Sequence, residues 1–341
     1  MPVTQPAGRE VVFTGKGAVE VRLAEAGEPG PREALIRISR SLISSGTEMI
    51  ALDRLFDPDT HWDDWVKYPF RAGYSCVGRV AALGEGTSPD APAIGSRVAL
   101  RGFHGDWAIH PVDQLVLVPD GVSDSDASWF GLACIAQVAL RRAEPKLGDT
   151  TAVVGAGLLG QLLVQYSRVM GAEAVICIDT ALPRLEMARS HGATHVLAAV
   201  AGDGRAGLLE LTGSRLADVV YDATGNAEAF TGSLQLARAY GRVVLMGDTG
   251  RCAATINLGT ILLGGLSVVG AHDDHPPAQA SPHDPWTHGR MAELFLELVR
   301  RGQMVVDTLT THRFPGDEAP GAYELLREHR AEAMGVILEW D

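Results

Sequence analysis

Apolar and polar residues alternate in short runs over the first third of the chain. The stretches "EALIRIS" (33–39), "VGRVAAL" (77–83) and "SRVALRG" (96–102) are rich in strand-forming residues, and clusters of Gly, Pro and Asp separate them. That pattern predicts a small antiparallel barrel or sandwich up to about residue 120. From about residue 123 the pattern changes. "TTAVVGAG" reads as a buried strand, "LLGQLLVQYSRVMGA" as a helix closed by Gly171, "AVICID" as a second strand and "LPRLEMARSHGA" as a second helix. "ADVVYDATG", "GRVVLMGD" and "LSVVGAH" supply further strands, with helical segments between several of them. Strands alternating with helices predict an α/β unit built on a parallel, doubly wound sheet. A His- and Asp-rich loop, the helix "GRMAELFLELVRRG" and a closing helix and strand complete the chain.

Composition narrows the function. A chain of 341 residues, 46% apolar and 21% charged, suits two folded domains. No apolar run reaches the roughly 18 residues that span a bilayer, and "MPVTQPAGRE" lacks a basic segment followed by an apolar core. A cytoplasmic protein with no membrane partner is expected. The net charge of −13 opposes a phosphate backbone, so no nucleic-acid partner is expected. An acidic field attracts small cationic molecules instead. Cys76, Cys134, Cys177 and Cys252 form no C-x-x-C pair, which argues against a local zinc knuckle or a redox dithiol.

In "VVGAGLLG", Gly155, Gly157 and Gly160 form G-x-G-x-x-G directly after a strand and at the opening of a helix. The first glycine permits the tight turn, the second lets backbone approach a pyrophosphate, and the third lets helix and strand pack closely. The helix N-terminus then faces the negative charge. Asp179 closes the next strand, nineteen residues after Gly160. Its carboxylate suits the ribose hydroxyls and repels a 2′-phosphate, which favours NAD, while Arg184 leaves NADP open.

"GTE" (46–48), "GYSCVGRV" (73–80), the glycine fingerprint, "DATG" (222–225) and "GRVVLMGD" (241–248) occur in that order. With them the chain resembles the medium-chain dehydrogenase/reductase superfamily over nearly its whole length. The resemblance implies a GroES-like catalytic domain formed by residues 1–122 and 272–341, and a Rossmann domain over 123–271. It extends the cofactor contacts to Leu158, Leu159, Ala223, Thr224, Met246, Gly247 and Ala271. It also implies a homodimer joined through "LSVVGAH". The zinc positions of the superfamily do not carry over. Ser45 stands for the usual Cys, Gly73-Tyr74-Ser75 for Gly-His-Glu, and the third ligand position falls near Gly131. The structural zinc lobe is absent from the sequence as well. A metal-free branch is expected, similar to bacteriochlorophyllide and sugar-linked dehydrogenases.

Without zinc, hydrogen-bond donors must meet the developing oxyanion. Thr47 matches the hydroxyl that passes the substrate proton in superfamily alcohol dehydrogenases, and Tyr74 replaces a metal ligand. Ser45 is a weaker donor. His104, in "RGFHGDWAIH", is the preferred proton donor because imidazole exchanges protons near neutral pH. Glu48 is expected to orient its neighbours. The insertions "LFDPDTHWDDW" (55–65) and "AHDDHPPAQASPHDPW" (271–286) place carboxylates, Asp57 and Asp273 among them, beside Trp65 and other aromatic rings. That combination points to an amino sugar or aminocyclitol, as in the keto-sugar reductases of aminoglycoside biosynthesis. A quinone or enoyl reductase is the second reading, and a non-catalytic dinucleotide-binding protein the third.

Overall fold

The computed structural model describes residues 7–248, 250–251 and 253–340. Residues 1–6 of the N-terminal stretch and Cys252 lie outside them. Contacts divide the chain into two compact units, Met1–Leu132 with Ala278–Asp341, and Ala133–Pro277. The boundaries expected at 122 and 271 fall short of these. Helix Asp124–Ala127 packs on strands of the β-rich unit, and Trp129 Nε1 donates to Thr310 Oγ1 at 3.1 Å, so residues 123–132 stay with that unit.

Strands are numbered along the chain. The first unit begins with β1 (Ala7–Gly15), β2 (Ala18–Glu25), β3 (Glu33–Leu42), β4 (Phe70–Arg71), β5 (Cys76–Leu83), β6 (Arg97–Leu100), β7 (Trp107–Pro111) and β8 (Val116–Leu117). The second holds β9 (Thr150–Val154), β10 (Ala174–Asp179), β11 (His195–Ala198), β12 (Ala217–Asp222), β13 (Ala237–Leu245) and β14 (Ser267–Gly270). The chain then returns to the first unit with β15 (Thr310–Pro315) and β16 (Gly335–Glu339).

In the first unit, one sheet runs β15-β16-β3-β5-β6-β8 with β7 also paired to β3, and a second runs β2-β1-β4. All pairs are antiparallel except β15 with β16. Their inward residues, including Phe13, Ile36, Ile38 and Leu338, form one core with Trp62 and the C-terminal Tyr323 and Trp340. Trp62 sits on a short helix, His61–Trp65, within the stretch read as an inserted loop. Its burial explains the helix: the ring stacks on Phe56 and leaves only 2% of Trp62 exposed.

The second unit is a six-stranded, wholly parallel sheet in the order β11-β10-β9-β12-β13-β14. Every residue of β9 is buried, as a central strand covered on both faces requires. The helix Leu158–Val169 ends beside Gly171, whose φ of +84° favours glycine. The strand order reverses at β9, and in such sheets ligands bind at the carboxyl ends of the strands where the order reverses. No helix among the described residues is long and apolar enough to cross a membrane.

Candidate active site

The glycine loop leaves β9 at its carboxyl end. Gly155 has φ +93°, and a Cβ added to Gly160 would lie 1.8 Å from the Gly155 carbonyl oxygen, so helix and turn meet backbone to backbone. A Cβ on Gly157 would meet nothing within 4 Å, which leaves open space above the loop. The first-turn N–H groups of the following helix, Leu158 and Leu159 among them, have no intrahelical acceptors. A phosphate fits this cradle.

Asp179 closes β10 and accepts from Ala156 N (2.7 Å) and Ala181 N (2.8 Å), one on each oxygen. Gln161 Nε2 donates to the Ala156 and Arg184 carbonyls, tying the Arg184 helix to the loop. Ala223 N donates to Val154 O, while Met246 N and Gly247 N share the Asp222 carbonyl. Ala271 N donates to Leu245 O. Thr224 packs against Gly155 and donates through Oγ1 to Asp222 (2.6 Å). Burial pushes the Asp222 carboxyl up, against the two hydrogen bonds from Thr224. The sequence-derived cofactor residues thus gather along the carboxyl edge of one sheet.

The β-rich unit holds a cavity of about 360 Å³ lined by Thr47, Glu48, Trp65, Phe70, Arg71, Gly73, Tyr74 and Phe103, with Ala51 and Pro69. After β3 the chain turns into the helix Thr47–Asp53, whose first turn presents Thr47 and Glu48 to this space. Thr47 Oγ1 makes no hydrogen bond among the described residues and is open to a ligand. Tyr74 Oη donates to Ser44 Oγ at 2.5 Å, and the Arg101 guanidinium lies over the Tyr74 ring, 5.4 Å from its centroid.

Glu48 is 2% exposed and collects three donors: Ser44 N (2.7 Å), Tyr323 Oη (2.5 Å) and His104 Nε2 (3.0 Å). Burial and then the Glu48 charge push the Tyr323 phenol far up, so it stays a donor. His104 Nδ1 lies 2.7 Å from Ser41 Oγ, which also accepts from Trp340 Nε1 at 2.8 Å. An indole N–H only donates. The Glu48 carboxylate is an acceptor and so takes the Nε2–H, which leaves Nδ1 facing the Ser41 hydroxyl.

This packing corrects one expectation. His104 is completely buried behind Gly73, where an added Cβ would touch the ring at 2.8 Å, so it does not meet a substrate directly. Glu48, expected to orient its neighbours and to line the substrate site, is the member of the pair in the cavity wall. Ser45 does not line the cavity. Trp65 does, but Asp57 is exposed outside its wall and Asp273 belongs to the other unit. Ser41, Ser44, Tyr323 and Trp340 were missed, because contacts across as many as 299 residues leave no local pattern.

Comparison with known proteins places these features. Residues 159–274 match the family model described as zinc-binding dehydrogenase. L-threonine 3-dehydrogenase of Anaeromyxobacter dehalogenans is 25% identical, covering 92% of each chain. D-guloside 3-dehydrogenase of Escherichia coli is 28% identical, covering 89% of this chain and 92% of its own. In fold, the chain superposes with a TM-score of 0.80 on the NADP-bound structure assigned as a zinc-binding dehydrogenase from Sinorhizobium meliloti, at 22% identity over 98% and 100% of the two chains. The chain is an NAD(P)-dependent dehydrogenase, similar in sequence and fold to the medium-chain enzymes.

Zinc is implied by the family's description, and the donor set of this dehydrogenase does not fit it. Zinc takes thiolate, imidazole or carboxylate ligands. At the corresponding positions Ser75 Oγ donates to Ser128 O (2.6 Å) and accepts from Gly131 N (3.0 Å), and neither Ser45, Tyr74 nor Gly131 carries such a group. Among the described residues, no group of three His, Cys, Asp or Glu side chains is placed to hold a metal ion. Cys76 lies nearby, but its thiol is buried against the Gly102 carbonyl, and burial followed by the Glu48 charge pushes its pKa up, away from the thiolate.

Proposed function

We propose that this dehydrogenase moves hydride between NAD(P)H and the carbonyl of a polyhydroxylated substrate without zinc. The observation that carries this reading is the cavity whose wall combines the Thr47 and Tyr74 hydroxyls with Glu48, itself joined to buried His104. Bound nicotinamide supplies or accepts the hydride. Thr47 Oγ1, uncommitted within the protein, donates to the substrate oxygen, while Tyr74, whose hydroxyl proton goes to Ser44 Oγ, lines the wall beside it. Glu48 exchanges the proton, and His104 behind it accommodates the change of charge through a buried hydrogen bond. Asp179 selects NAD over NADP by its charge. Support for the polyol class comes from the D-guloside 3-dehydrogenase among the relatives. The amino-sugar class anticipated from the acidic loops retains Trp65 but not Asp57 as a wall residue.

Metal analysis tests the zinc-free mechanism. Purified protein is expected to hold far less than one equivalent of zinc, and to keep its turnover of keto-sugars after dialysis against a chelator. A full equivalent whose removal abolishes turnover overturns it.

The dehydrogenase is proposed to act as a homodimer through β14, the edge strand of the parallel sheet. Beside that edge, Leu258, Leu262 and Leu263 are 73%, 81% and 89% exposed. Such an apolar edge invites pairing with a second copy. Sedimentation should show a dimer, and Leu262→Asp with Leu263→Asp should weaken it by at least about 100-fold, the cost of placing carboxylates in an apolar contact. A monomeric parent protein, or an unaltered dimer in the variant, removes the proposal.

A further inference from the structure

We infer that the cavity in the β-rich unit takes an anionic substrate, one that presents a carboxylate or phosphate to Arg71 and a flat apolar face to the rings of Trp65 and Phe103. The inference rests on the dehydrogenase reading of this cavity and adds the charge of its ligand. Two charged side chains line the wall, and they are not equivalent. Glu48 is 2% exposed, and both its oxygens are taken by buried donors. With its oxygens already hydrogen-bonded, it offers a position for proton exchange rather than an open ion pair to a ligand. Arg71 is open to the cavity, with its side chain 51% exposed.

The guanidinium of Arg71 is also held in place. It lies over the Phe103 ring, 4.6 Å from the centroid, and its Nη2 pairs with Glu10 Oε2 at 2.9 Å. A guanidinium carries five N–H donors in a planar fork, so this one ion pair leaves most of them for a ligand. Oriented this way, it matches the paired oxygens of a carboxylate or phosphate better than a lone hydroxyl. Phe103 and Trp65 are half-exposed, and Trp65 is braced edge-on against Phe70 at 5.1 Å. They form a shelf of aromatic faces beside the cation. Asp57, the acidic residue expected to receive a substrate ammonium, is absent from this wall. The accessible charge is therefore opposite to the one that the acidic composition suggested.

Four fragments with one ring and different head groups separate the alternatives: benzoate, phenyl phosphate, benzamide and benzylamine. Binding is read from tryptophan fluorescence, with NADH binding measured on the same samples. Benzoate or phenyl phosphate should saturate the protein at millimolar concentrations and bind at least about 10-fold tighter than benzamide or benzylamine. The tighter anion names the source, carboxylate or phosphate. Arg71→Met should erase the preference, and Arg71→Lys should keep part of it, since a point charge replaces the fork. Benzylamine binding as tightly as the anions, no saturable binding of either anion, or an unchanged preference in Arg71→Met each overturns the inference. Loss of the dehydrogenase reading shows separately, as a parent protein that fails to bind NADH.

Discussion

Replacing Glu48 with alanine lowers the stability of the β-rich unit by about 4 kcal/mol, because it strands three buried donors at once. Ser44 N, His104 Nε2 and Tyr323 Oη all converge on this carboxylate, and the site admits almost no water. An unpaired buried donor costs roughly 1–3 kcal/mol, and removing one member of a buried charged network costs about 3–5 kcal/mol. For a unit of this size the melting temperature should fall by about 10 °C, as calorimetry can measure. Glu48→Gln separates chemistry from structure. The amide keeps the volume and an acceptor for Ser44 N, and His104 can change tautomer, donating from Nδ1 to Ser41 and accepting at Nε2. Only the Tyr323 hydroxyl then loses its acceptor, so stability should fall by about 1–3 kcal/mol, less than for alanine, while kcat falls by roughly 10²–10³, the range expected for loss of a proton-transfer group. A Gln variant with parental kcat removes Glu48 from the mechanism and leaves it a structural role alone.

The second large effect belongs to the glycine loop. Gly160→Ala places a Cβ 1.8 Å from the Gly155 oxygen and 2.9 Å from its carbonyl carbon, and backbone on both sides offers no flexible side chain to move aside. The helix Leu158–Val169 must lift from the turn, carrying its N-terminal N–H groups away from the phosphate position. Overpacking of this kind costs about 1–3 kcal/mol, and NADH affinity should fall by at least about 100-fold. Gly157→Ala provides the contrast. Its Cβ meets no protein atom within 4 Å, so thermal unfolding should be unchanged, yet the methyl occupies the space open to the pyrophosphate. NADH titration by fluorescence is expected to show weakened binding in both variants and a lowered melting temperature only in Gly160→Ala. Parental affinity in Gly157→Ala would place the dinucleotide elsewhere.

Those two sites differ in how much of each can be read without coordinates. The strand, glycine turn and helix of the cofactor cradle lie within about thirty residues, and every step depends on near neighbours: β-branched residues in β9, conformational freedom at Gly155, close approach at Gly160. The parallel sheet follows from the same local alternation, and the strands expected at "AVICID" and "ADVVYDATG" appear as β10 and β12. Reading "LFDPDTHWDDW" as an inserted loop missed a helix, because its apolar residues are aromatic rings closing over the core rather than a periodic stripe.

By itself the sequence determined the strand–helix alternation of the parallel sheet and the dinucleotide fingerprint, since each depends on residue identity at short, fixed spacing. Only the tertiary structure decided which side chains reach the cavity. Burial of Trp340 and Tyr323 in one core, with Ser41 buried beside them, draws His104 behind Gly73 and turns Glu48 toward the cavity, and the β1–β4 pairing sets Arg71 beside Phe103. These contacts join residues up to 299 positions apart. Packing selects them through volume and hydrogen-bond satisfaction, neither of which leaves a periodic trace along the chain.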